Sequence, residues 1–158
     1  MNEEVRTIED RLVKLFQGIV SALPAGCATL RVKRAPEIEH DGVSIWLTPS
    51  NPQAAEIVAD AKNGDSTVSV CVGQRTPIEV LPTRNHTIVD DVREICQAVI
   101  DGKLQEELWL VGNDVIKCIA KIELGGKVHV FRYYDGLYPF SKKERKLVHY
   151  SPYCLSDP

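Results

Sequence analysis

Apolar residues return every third or fourth position near the start of the chain. Val5, Ile8, Leu12, Leu15, Phe16 and Ile19 fall on one side of a helix. Asn2 is a plausible cap for it, with Glu3 and Glu4 at the positive end of the dipole, and Leu23-Pro24-Ala25-Gly26 ends it. The period then changes from 3.6 to two. Ala28, Leu30 and Val32 alternate with Thr29, Arg31 and Lys33, and Val43, Ile45 and Leu47 alternate with Ser44, Trp46 and Thr48. These are two strands of a loose hairpin.

Residues 50–64 suggest a second helix. Ser50 or Asn51 offers a cap, Pro52 suits a first helical turn, and Asn63-Gly64 is a stop signal. Strands follow over 66–73 and 76–82. Ile88, Val92, Ile95, Cys96, Val99 and Ile100 make the buried stripe of a third helix, capped by Thr87 and ended by Gly102. Three strands, about 106–111, 115–124 and 127–134, are separated by Gly112-Asn113-Asp114 and Gly125-Gly126. In the middle strand Ile116, Cys118, Ala120 and Ile122 face one way, and Lys117, Lys121 and Glu123 share the other face with Ile119. The spacing Ser141 to Glu144 is that of a capping box and predicts a short helix there.

The expectation is an α+β fold in the order αββαββαβββ, with three helices on one face of a largely antiparallel sheet of about seven strands. Residues 1–158 read as a single globular domain, with 135–158 returning over the sheet.

Composition narrows the class. An apolar fraction of 44% and a charged fraction of 26% are ordinary globular values. The first residues are acidic where an export signal would be basic and then apolar. Cys27, Cys71, Cys96, Cys118 and Cys154 are odd in number, widely spaced, and nowhere form C-x-x-C. A reduced, cytoplasmic protein is expected, without a membrane contact. Charge is uneven. Residues 1–126 hold 13 basic and 19 acidic residues, whereas 127–158 hold 6 basic and 3 acidic.

Familiar catalytic motifs are missing. No phosphate-binding loop occurs, and Gly125-Gly126-Lys127 lies between two strands with no helix behind it. Gly64-Asp65-Ser66-Thr67 shares three letters with the nucleophile block of serine esterases, in the wrong structural context. Glu37, Glu39, His40 and Asp41 crowd one loop without a second ligand set, so a solvated loop is favoured over a metal site. Cys27 and Cys154 are the only thiols expected at the surface. No cofactor is implied.

The remaining signal is the end of the chain. All five tyrosines and two of three phenylalanines lie between His129 and Tyr153, among several cations. These rings can close the core, meet another protein, or stack on nucleic acid. The expectation is a non-enzymatic protein-binding domain of adaptor or antitoxin-like type. Its contact would be built from Arg132, Tyr134, Tyr138 and Phe140, with Trp46 or Trp109 as a further anchor. The partner is expected to be another protein, and the acidic body would steer a basic one. Lys142, Lys143, Arg145 and Lys146 belong to the alternative, a weak single-stranded nucleic-acid binder, which the net charge of −3 disfavours. A second alternative is an enzyme whose pocket forms only in the fold, with His40, His129, Glu79 and Glu123 as the first suspects.

Overall fold

Thr7 and Thr87 open the two helices in the same way. Each begins a Thr-Ile-x-Asp sequence in which the threonine hydroxyl accepts from the backbone N–H three residues on. The computed structural model describes residues 7–64, 66–74, 76–82, 87–136 and 141–155. Helix α1 spans Ile8–Ala22 and α2 spans Ile88–Ile100. The cap of α1 is Thr7, not the expected Asn2, which lies outside the described residues.

The expected architecture of three helices on a seven-stranded sheet is overturned. Among the described residues there are two helices and nine strands, arranged as two antiparallel sheets. The first is a five-stranded meander in the order β1-β2-β3-β4-β5, made of Ala28–Arg34, Gly42–Pro49, Ile57–Lys62, Val68–Val72 and Thr76–Val80. The second is four-stranded, in the order β8-β7-β6-β9, made of Leu104–Val111 (β6), Asp114–Leu124 (β7), Lys127–Tyr134 (β8) and Glu144–His149 (β9).

Two segments read as helical are strands. In the expected second helix, Asn51 Oδ1 accepts from the Gln53 N–H and its carbonyl accepts from Ala54, which makes a tight turn and no more. Beyond it Ile57, Ala59 and Ala61 are fully buried between β2 and β4 while Lys62 is exposed. Burial at every second residue decides for the strand, because propensity is weaker than packing. At Ser141–Glu144 the capping-box spacing starts no helix, and Glu144–His149 instead pairs with β6. The open edge of β6 needs backbone partners, and β9 supplies them. The segment Glu107–Leu110, ambiguous in sequence, lies within β6.

Both sheets turn their apolar faces to the helices. Helix α1 packs on β1, β2 and β3. Helix α2 packs on β7 and on β4 and β5. Phe16, Leu12, Ile45, Leu47, Ile57, Val99 and Ile122 belong to one continuous hydrophobic cluster. The sheets also meet where β5 lies beside β8.

The C-terminal segment closes the core as a strap. Tyr153 is 2% exposed, and its hydroxyl donates to the carbonyls of Ala55 at 2.7 Å and Leu47 at 3.3 Å. Its N–H bonds the Ile100 carbonyl, at the end of α2. Cys154 is disulfide-bonded to Cys27, with their Cα atoms 5.8 Å apart. The expectation of five reduced cysteines is therefore corrected: two surface-proximal thiols are joined, and Cys71, Cys96 and Cys118 are free. No helix among the described residues is long and apolar enough to cross a membrane.

Candidate functional site

Strand periodicity decides which side chains of the second sheet leave the core. In β7, Ile116, Cys118, Ala120 and Ile122 point inward and are buried, so Lys117, Ile119, Lys121 and Glu123 point outward. The register aligns them with neighbours on three other strands. Arg145, Trp109, Lys117 and Tyr134 form one row across β9, β6, β7 and β8. Leu147, Glu107, Ile119 and Arg132 form the next, and His149, Gln105, Lys121 and Val130 the one beyond.

No described element covers this face. Tyr134 and Val128 are 64% exposed, Leu147 49% and Val130 41%. Apolar area of this kind, gathered on one face and mixed with cations, is unusual for a surface that only meets water. The first row is preorganised. The Lys117 ammonium sits 4.3 Å from the centre of the Trp109 ring and 5.5 Å from that of Tyr134. The Arg145 guanidinium lies 5.9 Å from Trp109 and pairs with Glu107. Ring faces draw cations through their negative quadrupole, so the four side chains brace one another. Lys117, Lys121, Arg132 and Arg145 stand against Glu107 and Glu123, which makes the face cationic on a chain of net charge −3.

The structure thus brings together three of the expected contact residues: Trp109, Arg132 and Tyr134. Trp46 is elsewhere, on the outer face of the five-stranded sheet beneath the Arg31 guanidinium, 4.3 Å from its ring centre. Tyr138 and Phe140 lie outside the described residues. The four cations of the nucleic-acid alternative divide. Arg145 joins the face, Lys146 points to the opposite side of β9, and Lys142 and Lys143 precede the strand. Lys117, Ile119 and Leu147 were missed as site residues. For the first two the signal was present in the alternation of β7, whereas Leu147 was hidden by the expected helix.

Behind this face lies a buried polar centre that the sequence did not announce. Glu106 on β6 is fully buried. The Gln74 N–H donates to its Oε1 at 2.8 Å and the Tyr150 hydroxyl at 2.5 Å. The Thr76 hydroxyl donates to Oε2 at 2.6 Å and the Cys118 thiol at 3.3 Å. Donors from both sheets and the strap converge, which is how a carboxylate is tolerated in a core. Gly73 makes the approach possible. Its φ is +65°, and a Cβ there would lie 2.1 Å from Glu106 Oε1. Burial pushes the Cys118 thiol up to about 12, and burial followed by the Glu106 hydrogen bond pushes the Tyr150 phenol well above its ordinary 10.0. Neither group is poised for proton transfer near neutral pH.

The suspects for an enzymatic site are split. His129 and Glu123 lie on the second sheet, exposed, while His40 and Glu79 line a recess on the first. His40 lies beside a serine and an aspartate, but the arrangement is no hydrolase triad. Its Nε2 is 3.0 Å from Ser44 Oγ and 3.3 Å from Asp60 Oδ1, and Ser44 donates directly to Asp60. A relay needs the carboxylate on the other ring nitrogen, and among the described residues the buried His40 Nδ1 has no partner. Nor do Glu37, Glu39, His40 and Asp41 gather: among the described residues no group of three or more His, Cys, Asp or Glu could hold a metal ion. The chain matches no protein-family model, no curated protein and no solved structure.

Proposed function

We propose that this is a protein-binding domain whose docking surface is the outer face of the four-stranded sheet. Trp109, Tyr134 and Arg132 are its anchors, and the partner surface is acidic with an apolar centre. The observation that carries this reading is the braced row Arg145–Trp109–Lys117–Tyr134 beside uncovered Val128, Val130 and Leu147. Trp, Tyr and Arg are the residues in which binding energy concentrates, and rings held in place lose little freedom on docking. Four cations against two carboxylates favour an acidic partner over the basic one suggested by the whole-chain charge. Among the described residues no catalytic constellation accompanies the face.

Single-stranded nucleic acid is the second reading, supported by ring faces and cations on an open sheet. It is weakened because Lys117 already lies over Trp109, where a base would stack.

The test is affinity purification from native cells with the parent chain and W109A/Y134A in parallel. The candidate is then purified and mapped by hydrogen exchange. The expected result is a protein lost with the double variant that protects β6–β9 in the parent. Equal capture by both chains, or protection elsewhere, overturns the reading. Fluorescence anisotropy with an oligothymidine at low salt separates the alternative: binding lost with the same variant would transfer the face to nucleic acid.

A further inference from the structure

The outer face of the five-stranded sheet carries an independent feature. The register places Lys33, Ser44, Asp60, Ser69 and Glu79 in one row across all five strands. Lys62 lies two residues further along β3, and Thr67 precedes β4 on the neighbouring strand. The loop between β1 and β2 brings His40 over the row. The result is a recess of about 270 Å³ lined by His40, Asp60, Lys62, Thr67, Ser69 and Glu79.

Its wall is half set and half available. Ser44, His40 and Asp60 bond one another, which fixes the Asp60 carboxylate. Lys62, Thr67, Ser69 and Glu79 make no hydrogen bond or ion pair with one another, although all four line one small space.

We infer that this recess binds a small zwitterion of the free α-amino-acid class. The argument proceeds by what each ligand would leave unmet. An apolar ligand finds no apolar side chain in the lining. A simple anion meets two carboxylates, and a bare cation meets the Lys62 ammonium. A neutral polyol offers neither Lys62 nor Glu79 a counter-charge, and gives only hydrogen bonds that water already supplies to these exposed groups. A zwitterion satisfies both. Its ammonium takes Glu79 and the Ser69 hydroxyl, with Asp60 alongside, and its carboxylate takes Lys62 and the Thr67 hydroxyl. The scale agrees. Rows two residues apart on a strand are about 7 Å apart. The amino nitrogen and carboxyl carbon of an α-amino acid are about 2.5 Å apart, so with a hydrogen bond at each end the ligand spans about 8 Å, and the flexible Lys62 stem takes up the difference from the row spacing. The volume admits a small side chain, so glycine, alanine and serine are the natural probes.

The experiment is an amide NMR titration of the full chain with glycine, L-alanine and L-serine. N-acetylglycine, glycinamide and glycerol serve as ligand controls. Lys62 and Glu79 are exposed at the rim, so K62M and E79Q are expected to keep the parent spectrum elsewhere and serve as protein controls. The expected result is saturable shifts at residues 60–62, 67–69 and 79 with at least one amino acid. Affinity should fall at least about tenfold for both capped derivatives and for both variants, as loss of a charged hydrogen bond implies. No shift up to about 10 mM, equal response to glycinamide, N-acetylglycine or glycerol, or unchanged affinity in the variants overturns the inference.

Discussion

Tyr150 donates its phenolic hydrogen to Oε1 of the fully buried Glu106, 2.5 Å away, and so joins the residue after the last strand to the middle of the second sheet. The same carboxylate accepts from Gln74, in the turn between β4 and β5, and from Thr76 of β5. One side chain therefore ties the two sheets and the strap behind the proposed docking face.

Replacing Tyr150 by Phe removes one donor from that buried carboxylate. The expected cost is about 1–3 kcal/mol, a fall in Tm of several degrees for a chain this size, measured by thermal or urea unfolding. Replacing Gly73 by Ala should cost about 2–4 kcal/mol, since a Cβ meets Glu106 where the backbone is left-handed. A neutral G73A would show that the carboxylate does not sit where described.

The disulfide spans 127 residues of sequence, so reducing it frees a long loop in the unfolded chain. Loop-closure entropy sets an upper figure of about 4–5 kcal/mol, and native disulfides commonly contribute about 2–4. C27S/C154S, or the parent under reductant, should melt well below the oxidised parent. Thiol titration in denaturant should rise from three to five on reduction.

Alkaline pH should destabilise the folded chain. Burial pushes Cys96 and Cys118 up to about 12 from 9.0, and pushes the Tyr150 and Tyr153 phenols far above 10.0. At about pH 8 and below, the folded and unfolded chains both hold nearly all of these protons, and their contribution is essentially complete. From there upward the unfolded chain releases protons that the folded chain retains. Stability then falls by up to about 1.4 kcal/mol per pH unit for each group. Urea midpoints between pH 8 and 11 check this. Midpoints that rise would contradict it.

The matched helix caps should contribute alike. T7A and T87A each remove a hydroxyl that accepts from an aspartate N–H, and each should cost about 1 kcal/mol. Unfolding midpoints of the two variants check the figure. A variant indistinguishable from the parent would mean that its helix start is held by tertiary contacts.

Three of the expected contact residues meet on one face because alternation is a local property. Once Ile116, Cys118, Ala120 and Ile122 are inward, Lys117 is outward, and register does the rest. Glu106 was not foreseen, because a lone glutamate in a strand reads as solvent-facing. Only the donors of Gln74, Thr76 and Tyr150, far apart in sequence, make its burial tolerable. The recess around His40 escaped for a related reason. Asp60 and Lys62 were assigned to a helix, which removed Asp60 from the row with Ser44, Ser69 and Glu79 and Lys62 from its place beside that row.

What the chain's own order of residues decided is the local periodicity. It set α1 and α2, the strands flanking the glycine turns, and the cap at Thr87, because each rests on contacts within a few residues. Only the tertiary structure decided that 57–62 and 144–149 are strands, that the strands divide between two sheets, and that Cys27 meets Cys154. Those outcomes turn on partners distant along the chain: β2 and β4 for one segment, the open edge of β6 for the other. The free energy of burying every second side chain and pairing an exposed edge outweighs any helical preference written locally.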